Sequence, residues 1–498
     1  MKLNERIELI LQQLSENMFE REHIIALSLL GALSGTNTFL LGAPGTAKSL
    51  ISRKIAQAFE EPKYFEYLMN RFSTPEEVFG PVSIKALKED KYTRKIENYL
   101  PNADFAFLDE IWKSSPAILN ALLTLVNEKI FKNGDEIVHA PLKALVSASN
   151  EVPPDNQGLE ALYDRLILRL IVEPIKEKDN FLNLISSKPT QVKSSIESNL
   201  LVKQDEWKEW QDEIHQITFN TEINNVILMI RKLLADLPED KKVYVSDRRW
   251  QRAAYLLKAA AFFNGRREVL LSEIFLLKYC LWTKLENFED VSEIVEKSIF
   301  NLGIDSGIDT SFFVLEKQRL DQEISTELYY TEDIYETEEI YDGKFYYPYY
   351  CEHRRKKLYI KVSGNPHNEF IYAIDSNGNK DRDFQYKTDG SGSYQIFNGY
   401  NRNIIFTPKV KYTRGSKKQN INRRLIDALL SEVEEIQKNF IEATEQVKNK
   451  YQFLANQFSS LFIAEKDLKF LLNSIEEQIN KLEVNIQDCG RLKDLCDN

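Results

Sequence analysis

Eight residues constrain this chain more than any other stretch: Gly42-Ala43-Pro44-Gly45-Thr46-Ala47-Lys48-Ser49. They follow a short β-type run, Thr38-Phe39-Leu40-Leu41, and lead into a helical pattern over residues 48–59. A glycine-rich turn in that setting presents backbone N–H groups and the positive end of a helix, which together cradle phosphate oxygens. In such a loop Lys48 would reach the β and γ oxygens and Ser49 would hold Mg2+. Gly42, Ala43, Pro44, Gly45, Thr46, Ala47, Lys48, Ser49 and Leu50 are therefore the candidate nucleotide-binding residues. The string departs from GxxxxGK[ST] once, with Ala47 in place of the last glycine. The expectation is that alanine tolerates a helical backbone there, at modest cost.

The runs Tyr64 to Leu68, Phe105-Ala106-Phe107-Leu108 and Leu142 to Ala148 alternate with helical patterns. That alternation marks βαβ units and a parallel sheet, here ending near Pro174. Two carboxylates, Asp109 and Glu110, emerge at the end of the Phe105 strand. Asp109 suits a Mg2+ shell, and Glu110 suits orientation and deprotonation of an attacking water. Asn150 ends the run Leu145-Val146-Ser147-Ala148-Ser149-Asn150, where it can hold that water or a terminal phosphate. Taken alone it reads as a turn former. Arg165, in Leu162-Tyr163-Asp164-Arg165, can reach a neighbouring subunit's phosphates as a finger, or be an ordinary surface Arg. Ser246-Asp247-Arg248-Arg249-Trp250 opens a later helix that Ser246 or Asp247 can cap. Arg248, with Arg249 as its rival, can touch a terminal phosphate.

Beyond Pro174 the pattern is all-helical to about residue 300, with stripes such as Val226, Ile230, Leu233 and Leu234. Residues 313–328 are helical. Residues 329–412 carry alternating runs such as Leu358-Tyr359-Ile360-Lys361-Val362 and turns at Asn377-Gly378 and Asp389-Gly390, the pattern of a small antiparallel β unit. Helical spacing returns in Leu429, Val433, Ile436 and Phe440, and again in Leu468, Leu472, Ile475 and Ile479, predicting two long coiled-coil helices. The chain thus divides into an α/β domain (1–175), an α-helical lid (176–300), a discontinuous helical stalk (301–328 and 413–498) and a β domain inserted in it (329–412).

Composition removes several classes. No apolar run approaches the ~18 residues of a membrane span, and the start is too charged for a signal peptide. A cytoplasmic protein is the expectation. The net charge of −11, with no basic stripe, argues against a nucleic-acid partner. Tyr346, Tyr347, Tyr349 and Tyr350 beside Arg354-Arg355-Lys356-Lys357 read as sheet packing with a solvated basic edge. Four scattered cysteines without a CxxC pair fit neither a disulfide scaffold nor a zinc site.

The ordered set of loop, Asp-Glu, Asn, Arg and lid Arg resembles an AAA+ ATPase. Arg71-Phe72-Ser73-Thr74-Pro75-Glu76-Glu77-Val78-Phe79-Gly80-Pro81 and Leu108-Asp109-Glu110-Ile111-Trp112-Lys113 narrow the resemblance to the MoxR group. Ala117-Ile118-Leu119-Asn120-Ala121-Leu122-Leu123 with Asn127-Glu128, Leu159-Glu160-Ala161-Leu162-Tyr163-Asp164-Arg165, and Tyr244-Val245-Ser246-Asp247-Arg248-Arg249-Trp250 resemble its RavA (regulatory ATPase variant A) subfamily. The likeness spans about residues 15–290; beyond 300 only the layout matches.

The resemblance implies an AAA+ P-loop domain with an all-α lid, and ATP and Mg2+ as ligands. It implies Lys48 and Ser49 as the Walker A pair, Asp109 and Glu110 as the Walker B pair, Asn150 as sensor 1, Arg165 as the arginine finger and Arg248 as sensor 2. Many MoxR relatives have Ser-Pro-Arg where this chain has Ser246-Asp247-Arg248. Residues 70–100 would be the insertion near helix 2, and residues 129–141, turning at Asn133-Gly134, a hairpin; both are candidates for contacting clients. A hexameric ring and a von Willebrand factor A-domain partner follow from the same resemblance. The function implied is ATP hydrolysis driving chaperone-like remodelling or maturation of protein complexes. The alternative is a nucleotide-gated scaffold whose stalk and β domain dock a partner protein.

Overall fold

A computed structural model of the chain gathers the runs around the glycine-rich loop into one five-stranded parallel sheet. The structure describes residues 1–154, 158–187, 196–301, 306–340, 343–351, 355–362, 367–388, 392–398, 403–418 and 422–497. Its first seven strands are β1 (Thr38–Leu41), β2 (Tyr64–Leu68), β3 (Phe105–Asp109), β4 (Ile130–Asn133), β5 (Glu136–His139), β6 (Ala144–Ser149) and β7 (Leu168–Ile171). The sheet order is β2-β3-β6-β1-β7, with Thr38 in register between Val146 and Leu168. β1 and β6 are buried along their whole length, which is why they read as continuous apolar runs rather than alternating ones. β6 lies between β1 and β3, so the chain leaves β1, crosses to the outer strand β2 and returns through β3. Such a crossover opens a crevice at the carboxyl ends of the strands.

β4 and β5 form an antiparallel hairpin turning at Gly134, whose φ is +68°. A Cβ on Gly134 would stand 2.3 Å from the Tyr92 carbonyl oxygen, so the close approach needs glycine. The Asn133 side chain accepts from the Arg94 N–H at 2.6 Å and donates to its carbonyl at 3.1 Å, clasping the hairpin to the 70–100 insertion. Phe72, Ile84, Leu87 and Ile137 remain exposed on these two segments.

Contacts gather the chain into two compact units, 1–307 with 447–478, and 308–446 with 479–498. In the first, helices Thr221–Ala235, Asp247–Phe263 and Phe288–Phe300 form the lid. The first unit also takes in residues 447–478, which span the hairpin tip between helices Arg423–Phe458 and Glu465–Asp497. A buried ion pair, Lys278–Asp467 at 2.6 Å, anchors it. Arg266 donates to the carbonyls of Gln457, at 2.7 Å, and Ser459. Phe470 packs against Phe275 and Phe300. Heptad spacing shows that these helices pair but not where their tip docks.

In the second unit, helix Ser311–Leu328 precedes the β region. Seven consecutive strands from Glu338–Ile340 to Asn403–Phe406 pair antiparallel in sequence order, and Tyr329–Tyr335 pairs with Val410–Lys417. Leu358, Ile360, Phe384, Tyr386 and Ile396 make the core of that sheet, joined by Tyr347. Lys356 and Lys357 are paired with Asp381 and Glu338, at 2.9 and 2.6 Å. Arg354 and the Asp389-Gly390 turn lie outside the described residues. No described helix is long and apolar enough to cross a membrane.

Candidate active site

The loop after β1 is shaped by its neighbour β7. Val172 N–H donates to the Leu41 carbonyl at 2.7 Å, and a Cβ on Gly42 would lie 2.2 Å from the Val172 carbonyl oxygen. Only glycine fits there. Gly45 takes φ +81°. Ala47 does not adopt the helical backbone expected of it: its φ and ψ are +70° and 22°, left-handed, and it caps helix Lys48–Ala56. The turn from β1 into the helix demands that conformation, and the alanine Cβ carries a strain of order 1 kcal/mol. Buried Arg21 braces the loop from behind, donating to the carbonyls of Glu173 at 2.5 Å and Thr46 at 3.4 Å.

Lys48, Asp109, Glu110 and Asn150 come together at the carboxyl ends of β1, β3 and β6. Lys48 is only 6% exposed. Its Nζ donates to the carbonyls of Gly42 at 2.5 Å and Ala43 at 3.0 Å, and to Asn150 Oδ1 at 3.0 Å. Asn150 Nδ2 in turn donates to Glu110 Oε1 at 2.8 Å. Glu110 Oε2 pairs with Lys113 at 3.2 Å. The Glu110 backbone is left-handed, φ 52° and ψ 42°, and its N–H donates to Asp109 Oδ1 at 3.0 Å. Burial pushes the Lys48 pKa down, with the charges of Asp109 and Glu110 opposing it. Burial pushes the Asp109 carboxyl up, with the Glu110 N–H and the Lys48 charge opposing. Asp109 and Ser49 offer hard oxygen donors next to a phosphate cradle, few enough to leave Mg2+ room for waters and phosphate oxygens; the donor set fits that ion.

Arg165 and Arg248 are not in this cleft. They line a separate hollow with Thr36, Asn37, Lys129 and Arg252, a space of about 50 Å3. Ser246 caps its helix through the Arg249 N–H at 3.1 Å, and its hydroxyl donates to Asp164 at 2.7 Å, tying the lid helix to the segment that carries Arg165. Arg249, the rival of Arg248, is buried; it donates to the carbonyl of Cys280 at 2.6 Å and to that of Trp282. Arg249 is thus occupied in holding the lid together, and Arg248 is the arginine facing the hollow.

Several participants escape sequence reasoning. Lys113 stands in a string already singled out, three residues after Glu110, where a helical turn brings it back to the carboxylate. Arg21 carries no signal beyond being a charged residue before an apolar helix. Lys129 and Arg252 look like ordinary surface cations.

Comparison with known proteins agrees with this geometry. Residues 5–211 match the family model described as the MoxR domain in the MoxR-vWA-beta-propeller ternary systems. Residues 222–295 match that of the AAA lid domain. Two uncharacterized proteins of Methanocaldococcus jannaschii are similar. One is 35% identical over 291 residues, covering 58% of this chain and 73% of that protein. The other is 36% identical over 287 residues, covering 57% and 74%. A solved chain from Cytophaga hutchinsonii is 19% identical and covers 60% of this chain and 94% of that one, but at a TM-score of 0.48 the likeness carries no argument.

Proposed function

This chain belongs to the MoxR-type AAA+ ATPases, and we propose that it hydrolyses ATP in a ring of identical subunits. The observation that carries the reading is the relay in the cleft: Asn150 accepts from Lys48 and donates to Glu110. ATP would take the place of the loop carbonyls at Lys48 Nζ, the loop N–H groups holding the β-phosphate and Lys48 the γ-phosphate. Ser49 and Asp109 would hold Mg2+, which when bound neutralises charge on the phosphates. Glu110, oriented by Asn150 and Lys113, accepts the proton of the water that Asn150 helps to place. The bond from the γ-phosphorus to the bridging oxygen breaks as the phosphoryl joins the oxygen of that water, the proton passes to Glu110, and ADP leaves carrying the bridging oxygen. Arg165, with Arg248 beside it, would contact the nucleotide of a neighbouring copy.

We further propose that the work is chaperone-like remodelling or maturation of protein complexes by a hexamer of the RavA subfamily. The description of the matching family supports a von Willebrand factor A-domain partner, and Phe72, Ile84, Leu87 and Ile137 are candidate client contacts. The four-part division at 175, 300, 328 and 412 belongs to the same proposal. Assays of phosphate release test the mechanism. Lys48→Ala should lose ATP binding and turnover, while Glu110→Gln should keep ATP bound and lose turnover. Unchanged turnover in both would remove the mechanism.

A second reading is a nucleotide-gated docking scaffold. Exposed Tyr350, Phe370, Tyr372 and Ile405 on the seven-stranded sheet favour it. Deleting residues 329–412 would then abolish partner capture while basal ATP turnover persists.

A further inference from the structure

The hollow that holds Arg165 and Arg248 contains more positive charge than a single arginine finger needs. Lys129 sits at the end of helix Pro116–Glu128 in a left-handed conformation, φ 55°. That turn sends its side chain into the hollow. Lys129 Nζ is buried and has no hydrogen-bond partner among the described residues, and the same is true of Arg165 Nε. Arg248 and Arg252, one helical turn apart, line the other wall.

Negative charge is nearby but engaged elsewhere. The Asp164 carboxylate accepts from Ser246 at 2.7 and 2.9 Å. Glu128 is exposed. Neither forms an ion pair with the four cations among the described residues. Burial, and then the charge of Arg252, push the Lys129 pKa down to about 8. Burial and Arg248 push that of Arg165 down. A buried cation without a counter-ion is costly, and such an arrangement persists where a ligand supplies the missing charge. A space of about 50 Å3 is several times what one water requires, enough for one terminal phosphate.

We propose that Lys129 and Arg252 complete, with Arg165 and Arg248, a receiving site for the terminal phosphate of an ATP molecule bound in the cleft of a neighbouring copy of this chain. The inference rests on the reading that Arg165 acts across a subunit boundary. It adds Lys129 as a phosphate-contacting residue and Arg252 as a second cation, and it accounts for a charge left unpaired inside one chain.

Mixing full-length variants tests it. Lys129→Met keeps the stem and removes the charge; Glu110→Gln disables its own cleft but keeps its hollow. Lys129→Met alone should lower ATP turnover about 10²-fold with its ATP dissociation constant unchanged, and Lys129→Arg should retain most turnover. Adding Glu110→Gln protein should restore turnover to Lys129→Met, whose intact clefts then face intact hollows. Arg165→Ala mixed in the same way reports on the underlying reading. Restoration for Arg165→Ala but not for Lys129→Met would overturn the role of Lys129 alone. Restoration for neither would overturn both. Should Lys129→Met also lose ATP binding through misfolding, Arg252→Gln, an exposed change, carries the test; unchanged turnover in that variant would overturn the proposal.

Discussion

Lys48 in the cleft and Lys129 in the hollow are both lysines withdrawn from water, and they are in opposite electrostatic situations. Lys48 Nζ has three oxygen acceptors, and the charges of Asp109 and Glu110 offset its burial. Lys129 Nζ has no acceptor among the described residues, and the neighbouring charge that weighs on it, Arg252, adds to the cost of burial. The cleft is electrically complete within one chain. The hollow is not, and its instability as it stands is the physical reason to look for an incoming anion.

The largest expected effect comes from the complete site. Lys48→Met should abolish ATP binding and lower turnover by at least about 10³-fold, measured by isothermal titration and phosphate release. Arg165→Ala should lower turnover by roughly 10³-fold while ATP still binds. If both variants lose binding alike, the distinction between the two sites collapses.

Stability sharpens the contrast next. The folded pKa of Lys129 is about 8, against 10.5 for the ordinary side chain. Below pH 8 the folded chain therefore bears the full cost of the buried charge, about 3 kcal/mol at most. Between pH 8 and 10.5 the unfolded chain binds the extra proton, so stability rises with pH across that window. Lys129→Met should be more stable than the parent at pH 7, with the gap closing by pH 10.5, as read from urea midpoints. A variant no more stable at pH 7 would count against the unpaired charge. The smallest effect belongs to the loop. Ala47→Gly relieves the left-handed strain but frees the unfolded chain, so the net gain should be roughly 0.5 kcal/mol. A loss of stability on thermal unfolding would mean that Ala47 is not strained.

Much of the cleft was legible because it is built from strand ends. β1 and β2 occupy the runs read from apolar pattern alone, and Asp109, Glu110 and Asn150 follow from where the runs of β3 and β6 stop. The backbone of Ala47 was not legible. Its left-handed turn is set by the path of the chain from β1 into helix Lys48–Ala56, whereas local propensity favours a helical alanine. The choice between Arg248 and Arg249 was open to a closer reading of helical period. Arg249 shares its face with Ala253, Leu256 and Ala260, all buried, and that spacing turns Arg248 away from the lid core. The docking of 447–478 on the lid depends on Asp467, which on sequence is one more charge on a solvated helix. Lys129 gave no signal, because its meaning lies in what surrounds it rather than in its position along the chain.

Turnover per chain, followed as the protein is diluted, decides whether one copy is sufficient. If the hollow of a neighbour completes the cleft, phosphate release per chain should fall steeply as the assembly dissociates, while the affinity for ATP stays constant. Turnover per chain that holds steady down to concentrations where light scattering reports a monomer would contradict the division of labour between the two sites.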